Sequence, residues 1–535
     1  MYKEIEKTNS IKVNPSDPTT IPPFVDSLPV PSIAKPVNSC DCSDSEEPYY
    51  KIVMKEAYHR FHRSFPPTKM WTYNGIFPGP TIEVMRDVPI LVKWINNLPD
   101  EHLLPVDHTL HGTMDTPDVR TVVHLHGANV NDDSDGNPES WFTRNYETVG
   151  ERFTREVYEY TNHQFGGTLW YHDHTIGITR LNVYAGLSGF YLIRDSLEDR
   201  LNLPKGKYEI PMIIQDRTFN ADGSLFYPDS PPPPTPPQPP ITANPSIIPI
   251  FFGEVATVNG KVWPYLNVEP RKYRFRILNG SNGRGYILSL DNGGTFTQIG
   301  TELALLHESQ EIDSFILEPA ERIDLIIDFS NYLGKEIILK NSGGGVPMAS
   351  NNIMKFKVCL QLTKPDTSVI PDELLPYHEI NPSLARKERT LHLDSKTDDF
   401  GRTMHLVNDL MWHEPTTEKP ELDSIEIWHL VNHFAFPHPI HVHLVHFEIL
   451  GRKTLTDADF DENGNYKFDI NTLIPPDDFE MGLKDTVRAD PNMVTTIVMH
   501  FRKAGNYVYH CHILEHEDND MMRPLNIIKN SIPVK

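Results

Sequence analysis

Short runs of apolar residues, rich in β-branched and aromatic side chains, recur through most of the chain. ILVKWI (90–95), RTVVHLH (120–126), RFTREVYEY (152–160), LSGFYLIRD (187–195), YRFRIL (273–278), FILEPAERIDLIIDF (315–329), TTIVMHF (495–501) and YVYHCHI (507–513) all have strand composition. Turn formers such as DNGG (291–294) and ENGN (462–465) lie between such runs. Many short strands with frequent turns predict an all-β architecture of repeated sandwiches or barrels.

Three segments interrupt the pattern. Residues 1–48, rich in Pro, Ser and Asp, read as an extended arm, and PDSPPPPTPPQPPITANPS at 228–246 reads as a polyproline-like surface segment. TKPDTSVIPDELLPYHEINPSLAR at 363–386 reads as a linker. An internal echo adds to this, because GTLWYHDHT (167–175) matches GNYVYHCHI (505–513) in spacing and in most residue types. The expected organisation is the arm, a first domain at 49–197, a second at 198–362, the linker, and a last domain at 387–535. The second domain lacks the His-x-His pattern, so spacing and surface are its expected roles.

Composition sharpens this in three ways. A chain of 535 residues with 39% hydrophobic and 23% charged residues is long enough for several cores and has a folded, soluble profile. A net charge of -24 argues against a nucleic-acid partner, which needs clustered Lys and Arg. Glu4 and Glu6 stand where a secretion signal would be basic, and no apolar run reaches membrane-spanning length. Cytoplasmic synthesis without a classical signal, and no membrane partner, are therefore expected. Cys40, Cys42, Cys359 and Cys511 are too few for a disulfide framework, and the first two are too close to bridge comfortably.

The candidate chemistry lies in four His-x-His pairs: His124 and His126, His172 and His174, His441 and His443, His510 and His512. On a strand, residues i and i+2 share a face, so each pair presents both imidazoles to one metal cluster. Cys511, between two of them, then points the other way, toward a different metal. His438, His516 and Met521 complete a blue-copper set around it, two imidazoles and a thiolate with a weak axial thioether. Zinc fits less well, since its closed sites use Cys and His at other spacings. His59, His62, His102, His108, His111, His433 and His446 lie outside the pattern and are read as ordinary residues, and Trp170, Tyr171, Tyr507 and Tyr509 as core packing.

HLHG, WYHDH, HPIHVH and HCHILEHEDNDMM resemble the copper motifs of the three-domain multicopper oxidases. HLHGANVNDDSDGNPESWFT and NGKVWPYLNVEPRKYRFRILN extend the similarity, most nearly to the bacterial spore-coat laccases, relatives of bilirubin oxidase. The resemblance implies three cupredoxin-like Greek-key β-barrel domains and four copper ions. Type 1 copper would be held by His438, Cys511, His516 and Met521, type 2 by His124 and His441, and the type 3 pair by His126, His172, His174, His443, His510 and His512. His510, Cys511 and His512 would carry electrons, and Glu517 and Asp135 would deliver protons. Asp132 and Asp133 are read as solvated turn residues. Where the spore-coat branch carries a cysteine pair in the middle domain, this chain has Phe252 and Gly343 to Gly345, so the resemblance supplies no crosslink.

The implied partners are dioxygen and small aromatic reductants, namely phenols, aromatic amines or bilirubin-like pigments. A monomer located in the spore coat, with other coat proteins as neighbours, is the corresponding expectation. Two alternatives are an oxidase of cuprous or ferrous ions and a non-catalytic copper-binding coat component. Scattered methionines weigh against the first, and a cysteine wedged between cluster histidines against the second.

Overall fold

The computed structural model describes residues 16–37, 47–231, 241–343, 346–376 and 379–529. Strands dominate, and they gather into six sheets that pair off along the sequence. Tyr49–His59, Thr68–Tyr73, Ile90–Asn97 and Val157–Tyr160 form one sheet of the first pair, and Gly79–Met85, Val123–His126, Gly167–Asp173 and Ser188–Arg194 form the other. A seven-stranded and a five-stranded sheet follow, then a five-stranded and a four-stranded one. The chain is all-β, built as three successive sandwiches.

One connection recurs in all three. Tyr49–His59 pairs in parallel with Ile90–Asn97, Glu209–Arg217 with Lys272–Asn279, and Lys387–Thr397 with Ser424–Asn432. Parallel neighbours cannot be joined by a hairpin, so the intervening strand must cross over, which gives the Greek-key character. Apolar packing is continuous between the first two sandwiches, whereas the last has its own core around Trp428, Val442, Ile497 and Phe501. The boundary between the middle and last sandwiches is instead crossed by buried charge pairs, Lys484 with Glu302 and Arg322 with Asp485.

The strand readings need two corrections. FILEPAERIDLIIDF is two strands, Ser314–Leu317 and Arg322–Asp328, because Pro319 has no N–H for the ladder and Ala320 sits at a φ of 71°. RFTREVYEY narrows to Val157–Tyr160. Residues 16–37 run as a strap over the first two sandwiches, with Leu28 N–H donating to Tyr265 O at 2.7 Å and Ala34 N–H to Thr81 O at 2.8 Å. Residues 232–240 of the proline-rich segment, Cys40, Cys42, Gly344 and Gly345 lie outside the described residues. Among the described residues, Cys359 is an exposed free thiol and Cys511 a buried one, and no helix is long and apolar enough to cross a membrane.

Candidate metal centre

The histidine strands sit at sheet positions that face one another across the first and last sandwiches. Val123–His126 and Gly167–Asp173 are antiparallel neighbours with His124 opposite His172. In the last sandwich His438–Val442 lies beside Gly505–Cys511, with His441 opposite His510 and Ile440 opposite Cys511. The two ends of the chain then interdigitate ring on ring. His126 stacks on His441 at 3.6 Å between centroids, and His124 on His443 at 3.8 Å. All eight paired imidazoles are buried.

Their donor atoms fall into overlapping sets: His124, His126 and His441; His126, His172 and His512; His174, His443 and His510. His172 and His174 thus belong to different sets, as do His510 and His512. Alternation brings each pair to one cluster, but only His124 and His126 share a set among the described residues. His438, Cys511 and His516 form a set of their own.

Hydrogen-bond partners fix the ring tautomers. His124 Nδ1–H donates to Asp135 O at 2.6 Å and His441 Nδ1–H to Asp485 O at 2.8 Å, which leaves two Nε2 lone pairs facing each other at 3.4 Å. His443 Nδ1–H donates to Asp135 Oδ2 at 2.7 Å, while His174 Nδ1 and His510 Nδ1 lie 3.0 and 3.1 Å from the two oxygens of Glu517. Their Nε2 atoms converge at 3.1 and 3.3 Å. His126 is turned round, with Nε2 on Asp485 Oδ1 at 3.0 Å and Nδ1 facing His172 Nε2 at 3.4 Å. Both nitrogens of His512 are buried without a protein partner. Lone pairs packed this closely repel unless a cation lies among them, so the donor set fits a cluster of metal ions.

Cys511 points to the opposite side of its strand, as alternation requires. Its Sγ lies 3.5 Å from His438 Nδ1 and 3.7 Å from His516 Nδ1. The five-residue step to His516 is explained by the helical turn Leu514–Glu517, which folds the chain back under the thiol. Buried Met521 is pinned beside both, accepting from Cys511 N–H at 3.0 Å and donating to His516 O at 2.9 Å through its backbone. Thiol and imidazoles form a soft donor set suited to copper, with Met521 buried just after the same turn.

Burial and neighbouring imidazoles hold His124, His126, His172, His441 and His443 well below the ordinary histidine range, and His512 at about 3. These rings are neutral at pH 7 and ready to ligate. Burial pushes the Cys511 thiol well up, so a bound cation is what makes its thiolate favourable. Asp135 is also pushed well up by burial. Burial acts the same way on Glu517, but the imidazoles of His510 and His174 outweigh it and hold that carboxylate well below its usual range.

Four contributors had no motif to announce them. Asp485 accepts from His126 and His441, and it is clamped by Arg322 of the middle sandwich, whose Nη1 and Nη2 donate at 2.8 and 2.5 Å. Thr486 Oγ1 lies 3.1 Å from His126 Nε2. The middle sandwich therefore does more than space the other two. This clamp explains the glycine of HLHG: Gly127 has a φ of 88°, and a Cβ there would stand 2.5 Å from Asp485 Oδ2 and 2.8 Å from Arg322 Nη2. Beside the thiol set, His405 stacks on His516 at 3.8 Å. Of the histidines read as ordinary, His59 and His102 have ordinary partners, Gly260 O and Asn182.

Buried lone pairs gathered between two sandwiches, one strand's thickness from a thiol with two further imidazoles, define a multinuclear metalloprotein built for electron transfer. Two multicopper oxidase profiles match residues 381–531 and residues 56–119 with 115–198. The chain is 50% identical to a laccase of Bacillus subtilis over 95% of its length and 99% of that protein. It is 49% identical to a laccase of Bacillus stratosphericus, over 95% and 99% of the two chains. In fold it is similar to the crystal structure of a multicopper oxidase from Pediococcus acidilactici, with a TM-score of 0.75 and 26% identity, covering 96% of this chain and 94% of that one. The chain belongs to the multicopper oxidase family. Copper is accordingly its metal, and it is an oxidase that draws electrons from reducing substrates to reduce dioxygen.

Proposed function

We propose that the chain is a laccase-type oxidase taking single electrons from phenols, aromatic amines or bilirubin-like pigments, with type 1 copper held by His438, Cys511, His516 and Met521. In this reading His124 and His441 hold type 2 copper, and His126, His172 and His512, with His174, His443 and His510, hold the type 3 pair. When bound, the copper ions accept electrons one at a time and together supply the four that dioxygen needs to become water. The observation that carries the reading is the strand ending at Cys511: its sulfur joins one ligand set while His510 and His512, one peptide away on either side, join two sets of the histidine cluster. That short covalent path is the route for electrons.

The protein's own groups manage protons. Burial pushes the Asp135 carboxyl, which stands against His443, well up, while the imidazoles of His510 and His174 hold the Glu517 carboxylate, which faces both rings, well below its usual range. The two carboxyl groups are thus set apart as donor and acceptor at the edge of one cluster. The reading includes a monomer in a spore coat among other coat proteins, supported by the likeness of the motifs to that branch of the family.

Metal analysis of fully loaded protein tests the assignment: one copper for each site, with a strong blue absorption, is expected, and a single copper per chain would sink it. The raised thiol adds a pH dependence. A thiol held protonated must lose its proton to ligate, so apparent affinity at the Cys511 set should rise by about tenfold per pH unit between roughly pH 6 and 8. The imidazoles, already neutral there, add no slope. Competition titrations at several pH values read this directly, and a flat profile contradicts it.

A further inference from the structure

Between the first and last sandwiches lies a cleft of about 520 Å³ whose wall includes residues that directly follow two copper motifs, Asn129 after HLHGA and Leu444 to His446 after HPIHVH. Arg86, His163, His446, His500, Arg502 and Lys503 line it, and among the described residues no carboxylate does. This runs against the chain as a whole, which has 73 acidic and 49 basic residues.

Two of these groups are already neutralised, Arg86 by Asp195 at 2.8 Å and His163 by Asp87. The others are not. Among the described residues Arg502 and Lys503 have no carboxylate within ion-pair distance. Arg502 Nε–H donates to His500 Nδ1 at 3.0 Å, and Lys503 Nζ reaches Asn129 O only at 3.5 Å. The acids that act on Lys503, Glu159 and Asp133, do not line the cleft. His446 Nε2 is buried without any partner. Arg502 is exposed and Lys503 half-buried, so an anion placed among them would offset the cost of the half-buried ammonium and of the buried, unpartnered His446 nitrogen, with Arg502 adding an accessible charged donor. Besides the polar Asn129 and Gln164, the rest of the lining, Phe165, Ile380, Leu444, Val445 and Leu483, is apolar. A volume in the range of small-molecule sites, part cationic and part apolar, suits an organic anion better than a bare inorganic one.

We propose that this cleft binds a small organic anion, its carboxylate or phosphate head on Arg502, Lys503 and His446 and its apolar body against Phe165, Leu444 and Val445. The site is separate from the copper ligands, and it gives His446 a role that the copper motifs leave vacant.

Calorimetric titration of the copper-loaded full chain at fixed ionic strength tests this with benzoate, phenyl phosphate, neutral benzamide and inorganic phosphate as probes. Benzoate carries no phenol or amine to be oxidised. At least one organic anion is expected to bind, with benzamide and inorganic phosphate each about tenfold weaker or worse. Benzoate against phenyl phosphate distinguishes a carboxylate ligand from a phosphate ester. The double variant R502E/K503E should lose the anion by a further factor of about ten or more while keeping its melting temperature and oxidase activity. Undiminished anion affinity in that variant would place binding elsewhere, at copper for instance, and overturn the proposal. Equal affinity for benzamide, equal affinity for inorganic phosphate, or no binding of either organic anion would also overturn it.

Discussion

Replacing Cys511 by serine is expected to abolish the blue absorption, remove one copper per chain and cut donor oxidation by at least about a thousandfold, equivalent to ~4 kcal/mol of barrier. The expectation follows from position and chemistry together. Among the described residues, Cys511 supplies the sulfur that joins the His438 and His516 set to the segment carrying His510 and His512. A serine oxygen is a hard donor that stays protonated, so the soft, low-lying copper state loses its partner and the short path loses its first atom. Serine is close to isosteric, and the pairing of Ile440 with residue 511 is made by backbone groups. Circular dichroism of the variant should therefore match the parent. A variant that keeps its colour and half its activity would refute the assignment of the thiol, whatever its stability.

The second large effect is expected at a residue that is not itself a ligand. Arg322 is fully buried and holds both oxygens of Asp485, which in turn props His126 by its carboxylate and His441 by its carbonyl. Arg322→Met leaves a buried carboxylate unpaired, a loss of roughly 3–5 kcal/mol for such pairs. It also frees the partner that fixes the tautomer of His126, a change that typically costs about 10- to 100-fold in metal affinity. The variant is expected to bind less copper at the histidine cluster while its Cys511 set still turns blue. Melting of the copper-free protein separates the two effects. R322M/D485N, with no buried charge left unpaired, should recover most of the lost stability. Its copper retention should stay below that of the parent, because a neutral amide is a weaker acceptor than a carboxylate. Equal copper retention in R322M and parent would show that the middle sandwich plays no part in the centre.

These two cases mark where sequence reading succeeds and where it stops. The His-x-His pairs were legible because strand alternation is a local rule, and the same rule turned Cys511 away from its neighbours. The all-β architecture was legible for a similar reason, since period and composition are read over a few residues at a time. Asp485 and Arg322 offered no such signal. They lie 163 positions apart and meet only because the middle sandwich is pressed against the last. Gly127 shows the reverse situation: its presence in HLHG was visible, but the reason was not, because the atoms that exclude a side chain come from those two distant residues. Local rules also failed where one residue broke a ladder, as Pro319 and Ala320 do within an otherwise continuous apolar run. His405 belongs with the unforeseen residues, since nothing near it in sequence points to the ring of His516. The cationic cleft was equally hidden, being assembled from separate segments of the first sandwich, the last sandwich and the stretch before it.

The central claim is that this chain couples one-electron oxidation of an aromatic donor to the complete reduction of dioxygen. Oxygen uptake by fully copper-loaded protein, with an excess of a simple dimethoxyphenol and oxidised donor counted in the same vessel, tests it most directly. About four donors losing one electron each per dioxygen consumed, without peroxide, is the expected result. Absence of uptake from protein shown to hold all its copper would contradict the account, as would a ratio near two with peroxide released.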